Sequence, residues 1–556
     1  MFFDLHCHPA LKSFLTDEKP EKRDDCWTTY RNCIDFTVGS IIDSQASYRQ
    51  IERGRTNVAV AALYSFENGL DEIGLIKRIA PIISQLDKDM VSDIKPAAYY
   101  DKLMEEVRHL EGSLEPKGGR RPFQIVSRAA DIDPEVNNLV LSIEGAHVLT
   151  PNEGDDPIAK LDELKRFRHK ILYLTLCHFT KNPLCNHAFA MKLVNPEKAP
   201  VFFPAGTGLT DLGKRVIHHA YDDSAGRRIL LDVKHLSLSG RQQFYDWKVS
   251  DAAIKNLPII ASHVGITGHS WTPESRSRLH KEVKYLRALG QVAIKYDRLP
   301  GLELDGLQSY FNPASINLYD EDIEAIVQSG GLIGIMMDQR QLGAGKKPFE
   351  YFAKEDHDQL YALPTQFDAD TRTEGQRMEL ASDESEVVED LTQDGLSEYF
   401  SLPSFSAGEM VSGLRENVKE LFGGEDEGED QPSTYDTDRR SLGGDRVRSY
   451  RKLGKRKRLH LLHIANNLLH VAKIGGAEAW KVVCIGSDFD GLVDAPNNCV
   501  NTTEFSELEA HLYEIIIDLI EADGPGFRER YHLGDVRWQL RRVMYDNGRE
   551  FLDRWL

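Results

Sequence analysis

The chain has 556 residues, of which 41% are hydrophobic and 28% are charged, as in an ordinary globular protein. These values exclude a collagen-like or wholly disordered chain, and seven cysteines are too few for a disulfide framework. The formal net charge is −20, from 88 acidic and 68 basic residues. Because an acidic chain repels phosphate backbones, we expect no nucleic-acid partner.

The start of the chain and its hydropathy bear on location. Residues 1–6 contain neither the basic region nor the apolar core of a secretory signal. No run of 18 apolar residues occurs, so we expect no membrane span. We therefore expect a cytoplasmic protein, and the sparse cysteines suit a reducing compartment.

Eight short apolar runs rich in β-branched residues predict buried strands. Segments with helical periodicity separate most of them, which indicates parallel βαβ units and an α/β protein. Eight units predict a (β/α)8 TIM barrel, although an open doubly wound sheet would alternate in the same way. The runs span residues 2–8, 58–66, 139–145, 171–178, 229–235, 258–265, 331–338 and 482–491, and the helical segments include residues 70–86, 161–169, 211–221 and 320–329.

Polar side chains near the ends of the predicted strands favour the barrel. The carboxyl ends of all eight strands converge on one face of a barrel, where active sites lie, whereas an open sheet would spread the same residues along a line. The residues concerned are His6, His8, Glu144, His178, His235, His263 and Asp488.

Five of these residues predict a metal centre. His6 and His8 point to the same side of a strand, so they could chelate one ion, although a lone His-x-His motif is a weak signal. A strand-end carboxylate such as Glu144 is costly to bury unless it is paired or bound to a metal. His235 and His263 complete a set that suits zinc or a similar first-row ion. Because one catalytic zinc takes fewer ligands from protein, we predict two ions bridged by the glutamate.

Asp488 is the candidate proton carrier. It lies near the end of the eighth run, and a carboxylate beside an activated water can take its proton and pass it to a leaving group. Asp490 lies further out, and we predict that it caps the loop.

An insertion of residues 266–316 follows the sixth predicted strand in what is otherwise a single barrel of residues 1–556. We expect a helical stretch within it that forms part of a lid over the site. The basic and imidazole side chains of this stretch are Arg276, Arg278, His280, Lys281 and Lys284.

A second insertion, of residues 339–458, follows the seventh predicted strand and carries most of the net charge. Residues 368–438 hold 21 acidic and 4 basic side chains, and residues 439–458 hold 10 basic side chains and one acidic. We expect a solvated, partly low-complexity segment whose two halves attract each other. Docking of a partner or gating of the substrate is the alternative.

Three motifs together resemble the membrane (renal) dipeptidase family, peptidase M19, within the amidohydrolase-like metal-dependent hydrolases. They are Glu-Gly-x-His from position 144, Tyr-Leu-Thr-Leu-x-His up to position 178, and Gly-Ser-Asp-Phe-Asp-Gly from position 486. Matching stretches run through the whole chain in the family's order and leave the two insertions unmatched. The resemblance implies a (β/α)8 barrel with a two-zinc site.

Carried over by position, the resemblance implies a role for each candidate residue. His178 would lie beside the substrate and steady the tetrahedral intermediate, and Asp488 would be the acid/base. The implied metal ligands are His6 and His8 for the first zinc, Glu144 as the bridge, and His235 and His263 for the second zinc.

The sequence departs from the family at two positions. His8 stands where the family has Asp, which removes one negative charge from the site. Ile316 stands where the family has the Arg that holds the substrate's carboxylate. Arg276 or Arg278 could supply that cation from the first insertion.

These features predict a binuclear metal-dependent hydrolase with a small-molecule substrate, a dipeptide or a similar small amide. A metal-bridging hydroxide would attack the carbonyl while Asp488 transfers the proton. One alternative is an amidohydrolase that cleaves a non-dipeptide amide, a lactone or an ester. Another is an inactive interaction scaffold, which so full a set of site residues disfavours. A homodimer is among the assemblies that the sequence allows.

The acidic part of the second insertion should be dispensable for folding, because it cannot bury enough apolar surface to order itself. Replacing residues 368–438 by a short Gly/Ser linker should leave the melting temperature within a few degrees of that of the full chain. Differential scanning calorimetry would measure this, and loss of soluble expression would show instead that the segment packs on the barrel.

Overall fold

Eight parallel strands close into a barrel in the computed structural model, which describes residues 1–30, 43–67, 96–116, 119–150, 156–190, 200–345, 348–361 and 449–556. The strands of the described residues, in the barrel and outside it, are β1 (Phe2–Cys7), β2 (Thr56–Leu63), β3 (Phe123–Ile125), β4 (Asn137–Ile143), β5 (Ile171–Thr175), β6 (Leu230–Asp232), β7 (Ile260–Val264), β8 (His280–Leu286), β9 (Gln291–Tyr296), β10 (Leu299–Leu304), β11 (Leu307–Phe311), β12 (Leu332–Ile335), β13 (Phe349–Ala353) and β14 (Val483–Ile485).

The barrel order follows the chain. It runs β1-β2-β4-β5-β6-β7-β12-β14 with parallel neighbours, and a parallel bridge between Cys7 and Phe489 joins the last strand to the first. Each of the eight predicted runs overlaps one of these strands, although β2 and β4 begin two residues before their runs. The predicted TIM barrel is therefore confirmed, and the open sheet is excluded.

Helices surround the barrel. Helices α5 and α8 have the predicted bounds. Helix α4 begins four residues before the predicted segment 161–169 and ends three residues before the end of that segment. The helix predicted over residues 70–86 lies outside the described residues. The helices are α1 (Leu11–Phe14), α2 (Tyr48–Arg53), α3 (Tyr99–Gly112), α4 (Pro157–Arg166), α5 (Asp211–Tyr221), α6 (Leu238–Ser250), α7 (Pro273–Ser277), α8 (Asp320–Ser329), α9 (Lys354–Leu360), α10 (Lys455–Ala479), α11 (Phe505–Asp523), α12 (Pro525–Arg530), α13 (Val536–Arg541) and α14 (Asn547–Trp555).

Side-chain caps fix the start of several of these helices. The Asp156 carboxylate accepts a hydrogen bond from the backbone at the start of α4, and Thr210 and Ser237 do the same for α5 and α6. Such caps satisfy N–H groups that have no partner within the helix. They set where each helix leaves the loop at the carboxyl end of a barrel strand.

The buried carboxylate of Asp4 ties the first barrel strand to the last. It accepts hydrogen bonds from the backbone N and the hydroxyl of Ser487 at 2.9 and 2.5 Å. Burial raises the pKa of Asp4 to about 6, and the hydrogen bonds oppose that rise. Beyond this contact, the Asp488 N–H donates to the His6 carbonyl at 2.8 Å, so two candidate site residues are held side by side.

The first insertion folds mainly as strands, and the helical stretch predicted within it is wrong. Arg276 lies in the five-residue α7, Arg278 follows it, and residues 280–286 form β8. Strand β8 pairs with β9 in antiparallel register, and its side chains alternate between the two faces. This pairing involves residues distant in sequence, so the local sequence pattern does not reveal it. A role as a lid stays a prediction.

The two insertions meet in one sheet. Strand β13, from the second insertion, pairs with β9 of the first, and β8 completes the three-stranded antiparallel sheet. Strands β10 and β11 form a separate hairpin. The acidic residues 368–438 lie outside the described residues. At the described end of the basic block, Arg451 pairs with Asp518 of α11, outside the insertion.

In the part of the chain that the structure describes, no helix combines the length and apolar character needed to cross a membrane. The cytoplasmic location and the homodimer stay predictions.

A buried ion pair joins helices α6 and α8. The Arg241 guanidinium donates to Asp322 at 2.9 Å and to the carbonyls of Leu236 and Ser315 at 3.0 and 2.9 Å. The Asp322 carboxylate also accepts from the Tyr245 hydroxyl at 2.9 Å. Both charged side chains are almost fully buried, so neither has water as a substitute partner.

Replacing Arg241 by Met should therefore destabilise the protein by about 3–5 kcal/mol, because it leaves the Asp322 carboxylate buried without its cation. Urea unfolding followed by circular dichroism would measure the loss. Arg128→Met removes an arginine from an exposed pair with Asp131 and should have no measurable effect. Equal stability of the two variants would contradict the expected dependence on burial.

Candidate metal centre

All seven predicted site residues lie at the carboxyl face of the barrel. His6 and His263 lie within strands β1 and β7, and Glu144 directly follows β4. His8 is the first residue after β1, whereas His178, His235 and Asp488 lie three residues beyond β5, β6 and β14. The strands therefore end earlier than the predicted runs, and part of the site lies in the loops.

Strained backbone positions shape these loops. His235 and Asp488 have φ of 68° and 60°, in the left-handed region that non-glycine residues seldom adopt. Gly145, next to Glu144, has φ of 96°, and a Cβ there would lie 2.3 Å from the His147 ring. Such strain persists where the surrounding structure enforces it, which is common at functional sites.

Glu144 lies at the centre of the cluster. Its Oε1 is 3.1 Å from the Nε2 atom of His235, 3.3 Å from that of His263 and 3.6 Å from that of His6. Its Oε2 is 3.2 Å from the Nε2 atom of His8. One carboxylate thus faces four imidazoles, three near Oε1 and one near Oε2.

Asp488 closes the cluster from the loop after β14. Its Oδ1 is 3.3 Å from the Nε2 atom of His8 and 3.7 Å from that of His6, and its Oδ2 is 4.0 Å from that of His263. Burial raises the pKa of the Asp488 carboxyl, as the nearby Glu144 also does, while the histidines oppose the rise.

The imidazoles of the cluster turn their Nε2 atoms inward. His6 Nδ1 lies 2.9 Å from the Tyr173 hydroxyl, and His263 Nδ1 lies 2.8 Å from that of Ser262, so outer hydrogen bonds fix two of the rings. Within the described residues, the outer nitrogens of His8 and His235 have no hydrogen-bond partner. Inward nitrogens oriented from outside are the usual arrangement of metal-binding histidines.

The electrostatics of the cluster fit a cation. Burial disfavours a charged imidazole at His8, yet hydrogen bonds with Asp488 and Glu144 raise its pKa to about 10. Burial also opposes the charge on Glu144, but His178 and His6 hold its pKa well below its usual range. Positive charge would therefore stabilise the two carboxylates at the point where the imidazole nitrogens converge. This set of donor atoms suits zinc or another first-row ion.

Glu67 is a site residue that the sequence analysis missed. Its carboxylate accepts from His178 Nδ1 at 2.8 Å, from the Tyr64 hydroxyl at 2.9 Å and from the backbone N–H groups of Phe179 and Thr180 at 3.0 and 2.9 Å. Despite burial, the charged His178 lowers the pKa of Glu67. The only sequence signal was its position one residue after the second predicted strand.

A cavity opens above the cluster, and its charged wall differs from the predicted one. Arg276 and Arg278 do not line it; the Arg276 guanidinium instead donates to the carbonyls of Trp271 and Leu360 at 2.8 and 2.9 Å and lies over the Tyr361 ring. Among the described residues, the cations that do line the cavity, besides histidines, are Lys234 and Arg340, and Ile316 lines it as well.

Asp490 has the loop-capping position predicted for it. Its carboxylate accepts from the backbone N–H groups of Gln45 and Ala46, both at 2.9 Å, and lies 2.7 Å from the Lys12 ammonium. These contacts direct the carboxylate away from the imidazoles and hold the loop after β14.

Among known proteins, no family model and no curated protein matches the chain. Solved structures of similar fold include the probable dipeptidase PvdM from Pseudomonas aeruginosa, at 15% identity and a TM-score of 0.45, covering 92% of this chain and 88% of that one. Another is a metallopeptidase from Rhodobacter sphaeroides bound to a phosphinate mimic of the dipeptide L-Ala-D-Ala, at 14% identity and a TM-score of 0.46, covering 100% and 99%.

A third is the dipeptidase AC, a metallopeptidase of family M19, at 14% identity and a TM-score of 0.46, covering 100% of this chain and 98% of that one.

Purified protein loaded with zinc or manganese should hold two ions per chain, because the cluster offers more ligands than one ion uses. Elemental analysis would measure the stoichiometry. Ions held in the cluster should also raise the melting temperature, since a ligand that binds only the folded state stabilises it.

The matched pair for this test is Glu144→Gln and Glu163→Gln. The first removes the central carboxylate and should lower the metal content, whereas the second changes an exposed carboxylate and should not. A stoichiometry that stays at zero after loading of the unmodified protein would contradict the predicted metal centre.

Proposed function

We propose that the chain is a binuclear metal-dependent hydrolase, a dipeptidase-like enzyme that cleaves the amide bond of a dipeptide or a similar small amide. The observation that carries the proposal is the convergence of four imidazole Nε2 atoms on the buried carboxylates of Glu144 and Asp488, at the base of a cavity. Such a cluster of metal-competent and proton-transferring groups in a cavity is the usual composition of a hydrolytic metal site.

Two overlapping sets of ligands would hold two divalent ions, most suitably zinc. His6, His8 and Glu144 have ligand atoms within 4.8 Å of one another, which supports one site. Glu144, His235 and His263 would form the other, with both histidines within 3.3 Å of the shared carboxylate. Divalent ions there supply Lewis-acid activation of the substrate carbonyl and of a water molecule.

Asp488 is the residue of this chain that moves the proton. Water adds to the carbonyl carbon, the C–N bond breaks, and the proton lost by water must reach the leaving amine. Burial and Glu144 raise the pKa of the Asp488 carboxyl, which makes it a better base than an exposed aspartate. Its contacts with His8 and His6 place it at the edge of the cluster, where it reaches both water and substrate.

His178 is oriented to stabilise the negative charge that develops on the carbonyl oxygen. Burial lowers the pKa of its imidazole, but Glu144 and Glu67 outweigh that effect and raise it, which favours the charged form. Nδ1 donates to Glu67, so Nε2 remains as a donor that faces the cluster, 3.7 Å from Glu144 Oε1. A fixed donor aimed at developing charge is an effective form of catalytic stabilisation.

A second candidate is a hydrolase of the same mechanism that acts on a non-dipeptide amide, a lactone or an ester. It is favoured by Ile316, which presents a buried aliphatic side chain to the cavity, and by Arg276, which is engaged elsewhere. An inactive scaffold is disfavoured, because every proposed ligand and the acid/base lie together.

Asp488→Asn should keep its metal but lose about 10²–10⁴-fold in kcat, because an amide cannot accept the proton. Steady-state hydrolysis of dipeptides and small amides by the zinc-loaded protein would measure turnover, and elemental analysis would confirm the metal content. The control, Asp131→Asn, makes the same change at an exposed carboxylate and should retain full activity. Full turnover by metal-replete Asp488→Asn would remove Asp488 from the mechanism.

A further inference from the structure

An apolar wall lines part of the cavity that also contains the proposed metal ligands. It consists of Phe189, Ala190, Ala314 and Ile316, all of which line the cavity. Ala314 and Ile316 pack together with Ala190, and the exposed fractions of Ala314 and Ile316 are only 1% and 5%. A substrate group placed against this wall leaves water behind.

The first insertion carries Ala314 and Ile316 on one side of the apolar wall, and a carboxylate of the second insertion holds that segment in place. The Glu350 carboxylate of β13 accepts hydrogen bonds from the backbone N and the hydroxyl of Ser315 at 2.9 and 2.5 Å, and also from the Tyr296 hydroxyl of β9. Ser315 lies between Ala314 and Ile316, so the sheet formed by both insertions fixes the segment that carries them.

Aromatic packing holds the other side. The Phe189 ring lies 5.7 Å from the Phe203 ring and 4.8 Å from that of Tyr351 in β13. The Phe203 ring in turn lies 4.8 Å from Tyr351. Because its neighbours are packed rings, Phe189 keeps its apolar face toward the cavity and offers no hydrogen bond to a substrate.

The cations that line the cavity already have polar partners. Arg340 Nε donates to the two Asp338 oxygens at 2.8 and 3.1 Å, so a carboxylate of the protein occupies the guanidinium. The Lys234 ammonium donates to the Gln341 side chain at 3.0 Å. A substrate carboxylate placed against the apolar wall would have to share these cations with Gln341 and Asp338, or be buried without a cation, which is costly.

We propose that the substrate carries an uncharged, apolar group against the apolar wall, and therefore no free carboxylate on that side of the scissile bond. The substrate class is a small amide or ester with an aliphatic or aromatic group there. This inference rests on the proposed hydrolase, and it favours the second candidate, a non-dipeptide amide or ester, over a free dipeptide. Ile316 is the specificity-determining residue.

Two probes that differ only in the carboxylate test the proposal. L-Alanyl-L-leucine and the 3-methylbutylamide of L-alanine share the scissile amide and the branched alkyl group, but only the first has a carboxylate. Zinc-loaded protein should hydrolyse the 3-methylbutylamide with a kcat/KM at least about tenfold higher, because the dipeptide buries a charge without a cation. Equal rates, or faster cleavage of the dipeptide, would overturn the proposal.

Variants of one residue provide a second test. Ile316→Arg should shift the ratio of kcat/KM toward the dipeptide by at least about tenfold, because charge-assisted hydrogen bonds to a carboxylate are strong. Ile316→Met keeps an apolar side chain and should keep the preference. Val283→Arg adds the same charge at an exposed position of β8 and should leave the ratio unchanged. An unchanged ratio in folded Ile316→Arg would overturn the role of Ile316.

Binding separates this inference from the proposed hydrolase. If zinc-loaded protein cleaves neither probe, the hydrolase proposal fails for such amides, and the affinity for each probe, measured by calorimetry, decides the inference alone. Tighter binding of the 3-methylbutylamide by about tenfold supports it. Equal affinity, tighter binding of the dipeptide, or binding of neither probe overturns it. These measurements use unmodified protein, so they stand even if Ile316→Arg fails to fold.

Discussion

The site depends on one electrostatic constraint, which is the compensation of two buried carboxylates. Glu144 and Asp488 lie among four imidazoles with almost no contact with water, and moving such a charge out of water costs several kcal/mol unless it is paired. Positive charge must therefore reside in the cluster, on protonated histidine or on a bound cation. Hydrogen bonds with the hydroxyls of Tyr173 and Ser262 hold the rings of His6 and His263 in position for this role.

The sequence was sufficient for the barrel and for the residues that meet at its carboxyl face. Parallel strands buried on both sides read as apolar runs, and a polar residue at the end of such a run stands out. Glu67 did not stand out, because its function comes from contacts with His178 and Thr180 across a gap of more than a hundred residues. The helix expected around Arg276 failed for a similar reason, since pairing with β9 overrides local periodicity.

The proposed substrate contacts belong to parts of the chain that a barrel does not need. The two insertions join in one sheet, and that sheet holds Ser315 and Phe189 beside the cavity through Glu350 and Tyr351. The metal centre itself is built on barrel strands and their first loop residues. The proposed catalytic residues and the proposed substrate-contacting residues thus lie in separate parts of the chain. A change in the insertions can therefore alter the substrate while the carboxylate and imidazole cluster stays intact.

The contact between Asp4 and Ser487 spans 483 positions of sequence, and it has a consequence for synthesis. His6 and His8 are made before Asp488, and the chain between them contains all the other strands of the barrel. Until β14 has joined the sheet, one edge of β1 is unpaired, and His6 and His8 lack their contacts with Asp488. Closure of the barrel and completion of the proposed site therefore become the same late event, as expected for contacts of such long range.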